Sequence, residues 1–585
     1  MQKTKIICTI GPASEDPAIL REMMQCGMNV ARLNFSHGTH EEHLKKVENI
    51  KALREELKLP IAILLDTKGP EIRVKTFADG EVNLETGNTF TLTTRDVEGT
   101  AEIVSVTYPA LPASVKKGTR ILLDDGLIEL AVDSVEGQDI VCSVVFGGTL
   151  SNRKSLNLPG TSVDMPYISE ADKVDLKFAY DNDVDYIALS FVRTANDVYQ
   201  AKNFLDSFGP SRCELIAKIE NAEGVDNIDE IIRVSDGIMV ARGDMGVEIP
   251  FEELPGIQKS LIGKCYSAGK KVITATQMLE SMIRQPRPTR AEITDIANAI
   301  YDGTSALMLS GETASGKFPI ESLRTMVKIA MRTEANIDYK TLFASYKYGH
   351  GNTVTDAISH ATCTTAHDLG AVAIVAVTIH GSTPRMISRF RPNTPIIAIT
   401  PDIKTYMRLS LSWGVIPLLS EYMDSSDDVF NNASKKILEA GLAAEGDLIV
   451  ITGSASQRSS ITNMLQVHVL GNIVVSGVGK GLEPVFAKAC VISGRQPSAE
   501  FYDNSIIVID KTTEDSLQLL RRAVAVVTEE EYQVSRIAAA AYSLGIPLIT
   551  SATDATKLIS NGSGIVADPV RGVVYNGEHV QGQRV

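Results

Sequence analysis

The sequence predicts an α/β chain built on a closed (β/α)₈ TIM barrel, and three observations predict it. Apolar runs of β type recur eight times between residues 5 and 312, amphipathic segments separate them, and polar residues gather at the C-terminal ends of most runs. Alternating strand and helix implies a parallel sheet, and eight repeats imply closure into a barrel.

The runs are, in order, KIICTIG at 5–11, VARLNF at 30–35, IAILLDTKG at 61–69, YIALSFV at 186–192, ELIAKIE at 214–220, GIMVARGD at 237–244, KVITATQM at 271–278 and ALMLSGE at 306–312. Between them, AILREMMQCG, HLKKVENIKALREEL and AEITDIANAIYDG carry apolar residues at three- and four-residue spacing, as helices with one buried face do. Residues 1–69 and 168–344 are thus assigned to the barrel. The interruption at 70–167 is rich in Val, Thr and Gly, with turn signals ADGE, LETGN, LDDG and VEGQD, and reads as an inserted all-β domain. Its connections leave and re-enter at the rim where barrel enzymes work, so a closing lid is expected. From 345 to 472, AVAIVAVTI, PIIAIT, GVIPLL and DLIVITG alternate with helical segments as an open α/β domain. Residues 473–585 remain as an extra C-terminal segment, whose α/β fold is implied by the resemblance described below.

The stretch 214–246 carries the densest chemistry. Positions two apart on a strand face the same side, so Lys218 and Glu220 point together, and the next strand is expected to deliver Asp244 beside Gly243 and Gly246. Two carboxylates on neighbouring strand ends suit a hard divalent cation, and a lysine beside them suits a phosphoryl group. A structural ion pair has the same spelling. Other rim positions repeat the pattern: Arg32, Asn34 and Ser36 on one face of the second strand's end, Asp66 and Thr67 after the third, then Thr276, and Ser310 with Glu312. Farther on, TIHGSTPR at 378–385 joins a strand to a helix with small and hydroxylated residues, a loop able to offer N–H groups and hydroxyls to a phosphate.

A net charge of −15 argues against a general nucleic-acid partner, whose phosphates require clustered Lys and Arg. The longest apolar runs fall far short of the roughly 18 residues of a membrane helix. Seven cysteines stand singly with no CxxC pair, as suits a reducing compartment. The N-terminus reads as a first strand with no signal peptide, so a cytoplasmic location is the expectation.

Taken together and in order, ARLNFSHG, LDTKGPEIR, LPG, AKIENAEG, ARGDMGVEIP, TATQMLESMI, PTRAE and MLSGETA closely resemble the pyruvate kinase family, across residues 1 to about 472. The resemblance implies phosphoryl transfer from phosphoenolpyruvate to ADP, giving pyruvate and ATP in the final step of glycolysis, in an allosteric homotetramer. It assigns Glu220 and Asp244 to Mg²⁺ or Mn²⁺. Lys218 and Arg32 fall to the phosphoryl group, and Gly243, Asp244 and Thr276 to the substrate carboxylate, with Thr276 also near the site of enolate protonation. Asn34, Ser36, Asp66 and Thr67 resemble the K⁺ ligands, and Glu71 fits K⁺ dependence because members that work without K⁺ tend to carry Lys there. His37, Arg73 and Lys154 resemble nucleotide contacts. Thr378, His380, Ser382 and Thr383 resemble the effector-phosphate loop, which here lacks an internal Lys or Arg, so a sugar or nucleotide monophosphate competes with fructose 1,6-bisphosphate as the phosphorylated effector.

The tail around VTEEEYQVSRIAAAAYSLGIPLIT resembles the swivelling phosphohistidine domain of phosphoenolpyruvate-utilising enzymes. That family places a His after Thr-Ser, whereas Ser535 is followed by Arg536, and the only His beyond 472 is His579. A structural or interface role is expected. The alternative enzyme readings are a phosphoenolpyruvate-utilising synthase or phosphotransferase, which needs that His, and a metal-dependent carbon–carbon lyase, which would not need Arg32, Lys218 or the K⁺ set. A non-catalytic effector-binding scaffold is the remaining class, and it leaves the full set of catalytic side chains unexplained.

Overall fold

The computed structural model describes residues 2–161, 163–210, 212–345, 353–422, 426–444, 447–454, 461–470, 473–494 and 503–576. His579 lies outside them. The chain divides into two compact units, one of residues 1–364, 375–424 and 452–464, the other of 365–374, 425–451 and 465–585.

In the first unit eight parallel strands close into a barrel: Lys5–Thr9, Val30–Asn34, Ala62–Asp66, Tyr186–Leu189, Glu214–Ile219, Gly237–Ala241, Lys271–Ala275 and Ala306–Leu309. The last strand pairs with the first, Lys5 opposite Ala306. Alternation along each strand sorts the side chains. Ile7, Val30, Leu64, Ala188, Ile216, Met239 and Ile273 fill the interior, while Ile6, Cys8, Leu33, Ile63 and Ile219 pack outward among the helices. The same parity puts Arg32, Asp66, Ser190, Lys218 and Glu220 on the inward-facing rows, where those rows run out at the C-terminal rim.

The strands are shorter than the apolar runs suggest. Gly237–Ala241 stops before Asp244, which lies in the first turn of helix Arg242–Glu248. Thr276 follows its strand at φ +66 and Gln277 at φ +54, and Phe191 lies beyond the fourth strand at φ +55. Positive φ ends strand pairing, so these residues sit in turns that aim them across the rim. Ser36 likewise lies in the turn after the second strand, where its N–H donates to Asn34 Oδ1 at 3.1 Å. Ser310 and Glu312 are drawn into a short helix, Gly311–Ala314, and its N-cap.

The PTRAE motif has a local explanation. Thr289 caps helix Arg290–Tyr301 in a reciprocal capping box with Glu292. The Glu292 carboxylate also accepts from the N–H and hydroxyl of Ser281, tying the helix start to the loop after Thr276.

The insertion is built of strands, as its turn signals predict, with one short helix at Leu111–Ser114: a seven-stranded sheet from Ile72–Arg73 to Ile103–Ser105 beside the two-stranded pair Glu81–Leu84 and Gly148–Ser151, with its own core around Phe90, Ile121 and Leu130. Between residues 353 and 470 strands and helices alternate. In the second unit an eight-stranded mixed sheet runs from Ile473–Ser476 at one edge to Val478–Lys480 at the other, with Ser505–Ile509 and Ala523–Thr528 at its buried centre.

Candidate active site

Five inward rows end at the C-terminal rim in Thr9, Arg32, Asp66, Ser190, and Lys218 with Glu220, and these side chains find one another. Lys218 Nζ lies 3.0 Å from Asp66 Oδ1 and 3.0 Å from Glu220 Oε1, and donates to Ser190 Oγ at 2.6 Å. Arg32 Nε donates to the other Asp66 oxygen at 2.7 Å, and its Nη1 donates to Thr9 Oγ1 at 2.8 Å. Two cations and two carboxylates therefore lie almost wholly buried at one end of the barrel.

Charge balance follows from that burial. Desolvation disfavours the Lys218 ammonium, but Asp66 and Glu220 outweigh it and hold its pKa above the ordinary lysine value. Asp66 is also penalised by burial, yet Lys218 and Arg32 keep it below the usual carboxylate range. Glu220 goes the other way. Burial pushes it up to about 8, against the pull of Lys218 and with the help of the Asp244 charge.

Glu220 Oε2 accepts from the Phe191 N–H at 2.6 Å, while Oε1 faces the Lys218 ammonium alone. A carboxylate whose charge is disfavoured by burial and by the neighbouring Asp244 is what a divalent cation would relieve, so the pair Glu220 and Asp244 fits such an ion. Among the described residues no group of three or more His, Cys, Asp or Glu forms a full cage. Glu220 and Asp244 would leave the remaining coordination positions to substrate and water.

The Gly243 N–H donates to Thr276 Oγ1 at 2.9 Å, and that hydroxyl donates to the Ala275 carbonyl at 2.6 Å. Arg242 braces this turn, donating to the Ala275 and Thr276 carbonyls and pairing with Asp295 at 2.6 Å. Asn34, Ser36, Asp66 and Thr67 follow adjacent strands, with Asn34 in register with Asp66. Thr67 Oγ1 accepts from the Ser190 N–H at 3.2 Å, and the Thr67 carbonyl accepts from Ser190 Oγ at 2.7 Å.

Ser190 and Thr9 escaped the sequence reading. Both sit on inward parity beside motif residues, and that parity was the available signal; Ser190 lies inside the apolar run YIALSFV, where one hydroxyl stands out little.

The nucleotide candidates occupy the rim and the inserted domain. Arg73 is engaged with Glu71 at 2.6 Å, and Lys154 pairs with Asp124 at 2.7 Å. Burial raises the Glu71 pKa despite Arg73. His37 is exposed, and its carbonyl is paired with His43 Nε2 at 2.8 Å.

In the 378–383 loop, Gly381 at φ +79 turns the chain and donates its N–H to Thr378 Oγ1 at 2.9 Å. Thr383 Oγ1 lies 2.7 Å from Thr462 Oγ1, and His380 is exposed. The cation missing from the loop stands one turn on, since Arg385 reaches back to the His380 carbonyl at 3.2 Å. In the second unit, Arg536 is exposed and pairs with Glu514 at 3.0 Å, while Ser535 donates to Glu530 at 2.6 Å and caps helix Arg536–Ser543.

Comparison with known proteins agrees along the whole chain. Residues 1–323 match the pyruvate kinase barrel domain, 356–468 the pyruvate kinase alpha/beta domain, and 501–572 the mobile domain of PEP-utilising enzymes. The chain is 45% identical over 580 residues to a pyruvate kinase of Geobacillus stearothermophilus, covering 98% of this chain and 99% of that one. It is also 45% identical over 580 residues to a pyruvate kinase of Bacillus licheniformis, covering 99% of each. The crystal structure of a pyruvate kinase from Cryptosporidium parvum superimposes with a TM-score of 0.76 at 40% identity, over 80% of this chain and 96% of that one. The barrel, its charged rim and these full-length matches make the chain a member of the pyruvate kinase family, which moves the phosphoryl group of phosphoenolpyruvate to ADP and yields pyruvate and ATP.

Proposed function

We propose that this transfer runs at the cluster of Arg32, Lys218, Glu220, Asp244 and Thr276. The observation that carries the reading is the buried Lys218 ammonium, wedged between Asp66 and Glu220 where the inward rows end. Lys218 lies on the transferring phosphoryl group and Arg32 grips it from the other side, each fixed by Asp66 before substrate arrives. Such preorganised charge is what accelerates phosphoryl transfer, a reaction of positioning and neutralisation. Glu220 and Asp244 would hold Mg²⁺ or Mn²⁺, which when bound neutralises charge on the enolpyruvate oxygen, the carboxylate and the phosphoryl group. Asn34, Ser36, Asp66 and Thr67 supply hard oxygens for K⁺.

The turn at Gly243 and Asp244, with the Thr276 hydroxyl, orients the substrate carboxylate. Because that hydroxyl already donates to Ala275, protonation of the enolate proceeds through water beside Thr276. His37, Arg73 and Lys154 receive the nucleotide, and the β-domain shuts the site from water. The 378–383 loop takes a phosphorylated effector, a sugar or nucleotide monophosphate being compatible with its sparse charge. The enzyme works in the cytoplasm as a homotetramer, and the tail serves as a structural or interface domain, since Arg536 stands where a phosphoryl-accepting His is required.

A coupled assay for ATP formation from phosphoenolpyruvate and ADP, run with and without K⁺, tests the assignment. Activity that is unchanged when K⁺ is replaced by an organic cation would remove the monovalent site.

A further inference from the structure

At the opposite end of the barrel, the rim of strand N-termini carries a cavity of about 270 Å³. Its walls include Asp236, Lys270 and Lys271 from the barrel, and Arg385, Arg389 and Arg391 from the helix after the 378–383 loop and its continuation, together with Ser412 and Trp413. Five of the lining residues are cations and one, Asp236, is an anion.

The cations are unequally satisfied. Lys271 and Arg385 share Glu214, Arg389 pairs with Asp356 at 3.1 Å, and Lys270 donates to the Ser235 carbonyl at 2.7 Å. Arg391 stands apart. It is 95% buried by its 5% exposure, and among the described residues no carboxylate lies within ion-pair distance of it. Its Nη2 donates to the Gly303 carbonyl at 2.7 Å and to Ser305 Oγ at 3.3 Å, while Nε and Nη1 have no acceptor. The guanidinium lies 4.4 Å from the centroid of the Trp413 ring, and burial pushes its pKa down to about 10. Ser412 Oγ, on the same wall, is also buried without a partner.

Buried donors are nearly always paired, and an unpaired guanidinium carries a large desolvation cost. Both residues line one cavity amid excess positive charge, and together they describe a place made for an anion. At about 30 Å³ per water, the volume holds about nine waters, enough for a small metabolite.

We propose that this cavity binds a small organic oxyanion, a phosphate ester or a polycarboxylate, whose charged oxygens are taken by Arg391, Ser412 and Lys270. The site differs from the 378–383 phosphate loop, of whose candidate residues Ser382 alone reaches it. An anion there joins the strand-N-terminal rim to the helix that carries the loop. It also lies beside Lys271 and Arg385, the partners of Glu214, which begins the strand that delivers Lys218 and Glu220. Occupancy is thus expected to alter the half-saturating phosphoenolpyruvate concentration.

Trp413 is the only tryptophan in the chain, so its fluorescence reports the cavity directly. The full-length protein is titrated with citrate and, separately, with inorganic phosphate, at constant ionic strength held with chloride. A saturable change with either anion is expected, and the two arms decide between carboxylate and phosphate. Arg391→Met should weaken it by about tenfold or more, the loss of a buried charged contact. Ser412→Ala removes a hydroxyl that has no partner, so it should weaken binding while leaving the melting temperature unchanged; with Lys270→Met it carries the test if Arg391→Met does not fold. Thr383→Ala should leave the titration as it is. The proposal is overturned if neither anion gives a saturable change, if Ser412→Ala and Lys270→Met both leave it unaltered, or if Thr383→Ala alone abolishes it.

Discussion

Asp66 serves two cations at once, each with its own oxygen, and Lys218 is shared between Asp66 and Glu220. The result is a lysine held charged at all working pH values, with its Nζ fixed from three sides by Asp66, Glu220 and Ser190. Replacing it by Met removes the charge and keeps the stem. Lys218→Met should lower ATP formation by about 10³-fold or more, the scale of losing one preorganised charge on a transferring phosphoryl group. Divalent-cation-dependent exchange of the pyruvate methyl protons, followed by NMR in deuterated buffer, should survive, because Glu220, Asp244 and Thr276 remain. Loss of both reactions would mean that the roles are misassigned.

Elements matter through where they stop. Gly69, at φ +72, begins the connection into the β-domain, and a Cβ there would meet Ser190 Cβ at 2.8 Å and its carbonyl at 2.9 Å. Gly69→Ala should therefore cost more than about 1 kcal/mol, read from the urea midpoint, and should displace the hydroxyl that accepts from Lys218. A drop in turnover larger than the loss of folded protein is the expected signature; normal turnover in the folded variant would show that Ser190 does not position the lysine. The turn at Thr276 and Gln277 makes the same point. An apolar run reveals a strand, but positive φ and Arg242 braced on Asp295 decide where its last residues face.

For the molecule as a whole, the strand-N-terminal end of the barrel is bound by charge as firmly as the catalytic end. Glu214 is buried with Lys271, Arg385 and Arg408 around it, and despite desolvation these cations depress its pKa to about 2. For Lys271 burial outweighs Glu214 and the neighbouring Arg385 repels it, so its pKa falls below the lysine norm. A carboxylate with a depressed folded pKa contributes stability that is present above its ordinary value of 4.5 and lost as pH falls toward about 2. Glu214→Gln should cost about 3–5 kcal/mol at neutral pH, and the gap from the unsubstituted protein should narrow as pH falls through that window. Denaturation curves at a series of pH values measure it, and a constant gap would refute the account. Closure of the β-domain is tested by small-angle scattering, which should register compaction when substrates and Mg²⁺ are added together.

Much of this was readable in the chain because it depends on periodicity and spacing. Eight alternations gave the barrel, turn residues gave the β-insertion, and pairs two apart, such as Lys218 with Glu220, gave the inward face of the rim. Those are properties of single segments. Ser190 and Thr9 became visible only when barrel closure set neighbouring strands in register and brought their hydroxyls onto Lys218 and Arg32. The turns at Asp244 and Thr276, read as strand from their apolar flanks, were likewise settled by contacts made after folding. Glu214 meets Lys271 and Arg385 from 57 and 171 positions away, Arg391 meets Ser305 from 86 positions away, and no pattern along the chain records such meetings. Local chemistry was thus fixed by sequence, whereas the pairing of distant charges was decided by the tertiary fold, because burial and distance set their energies.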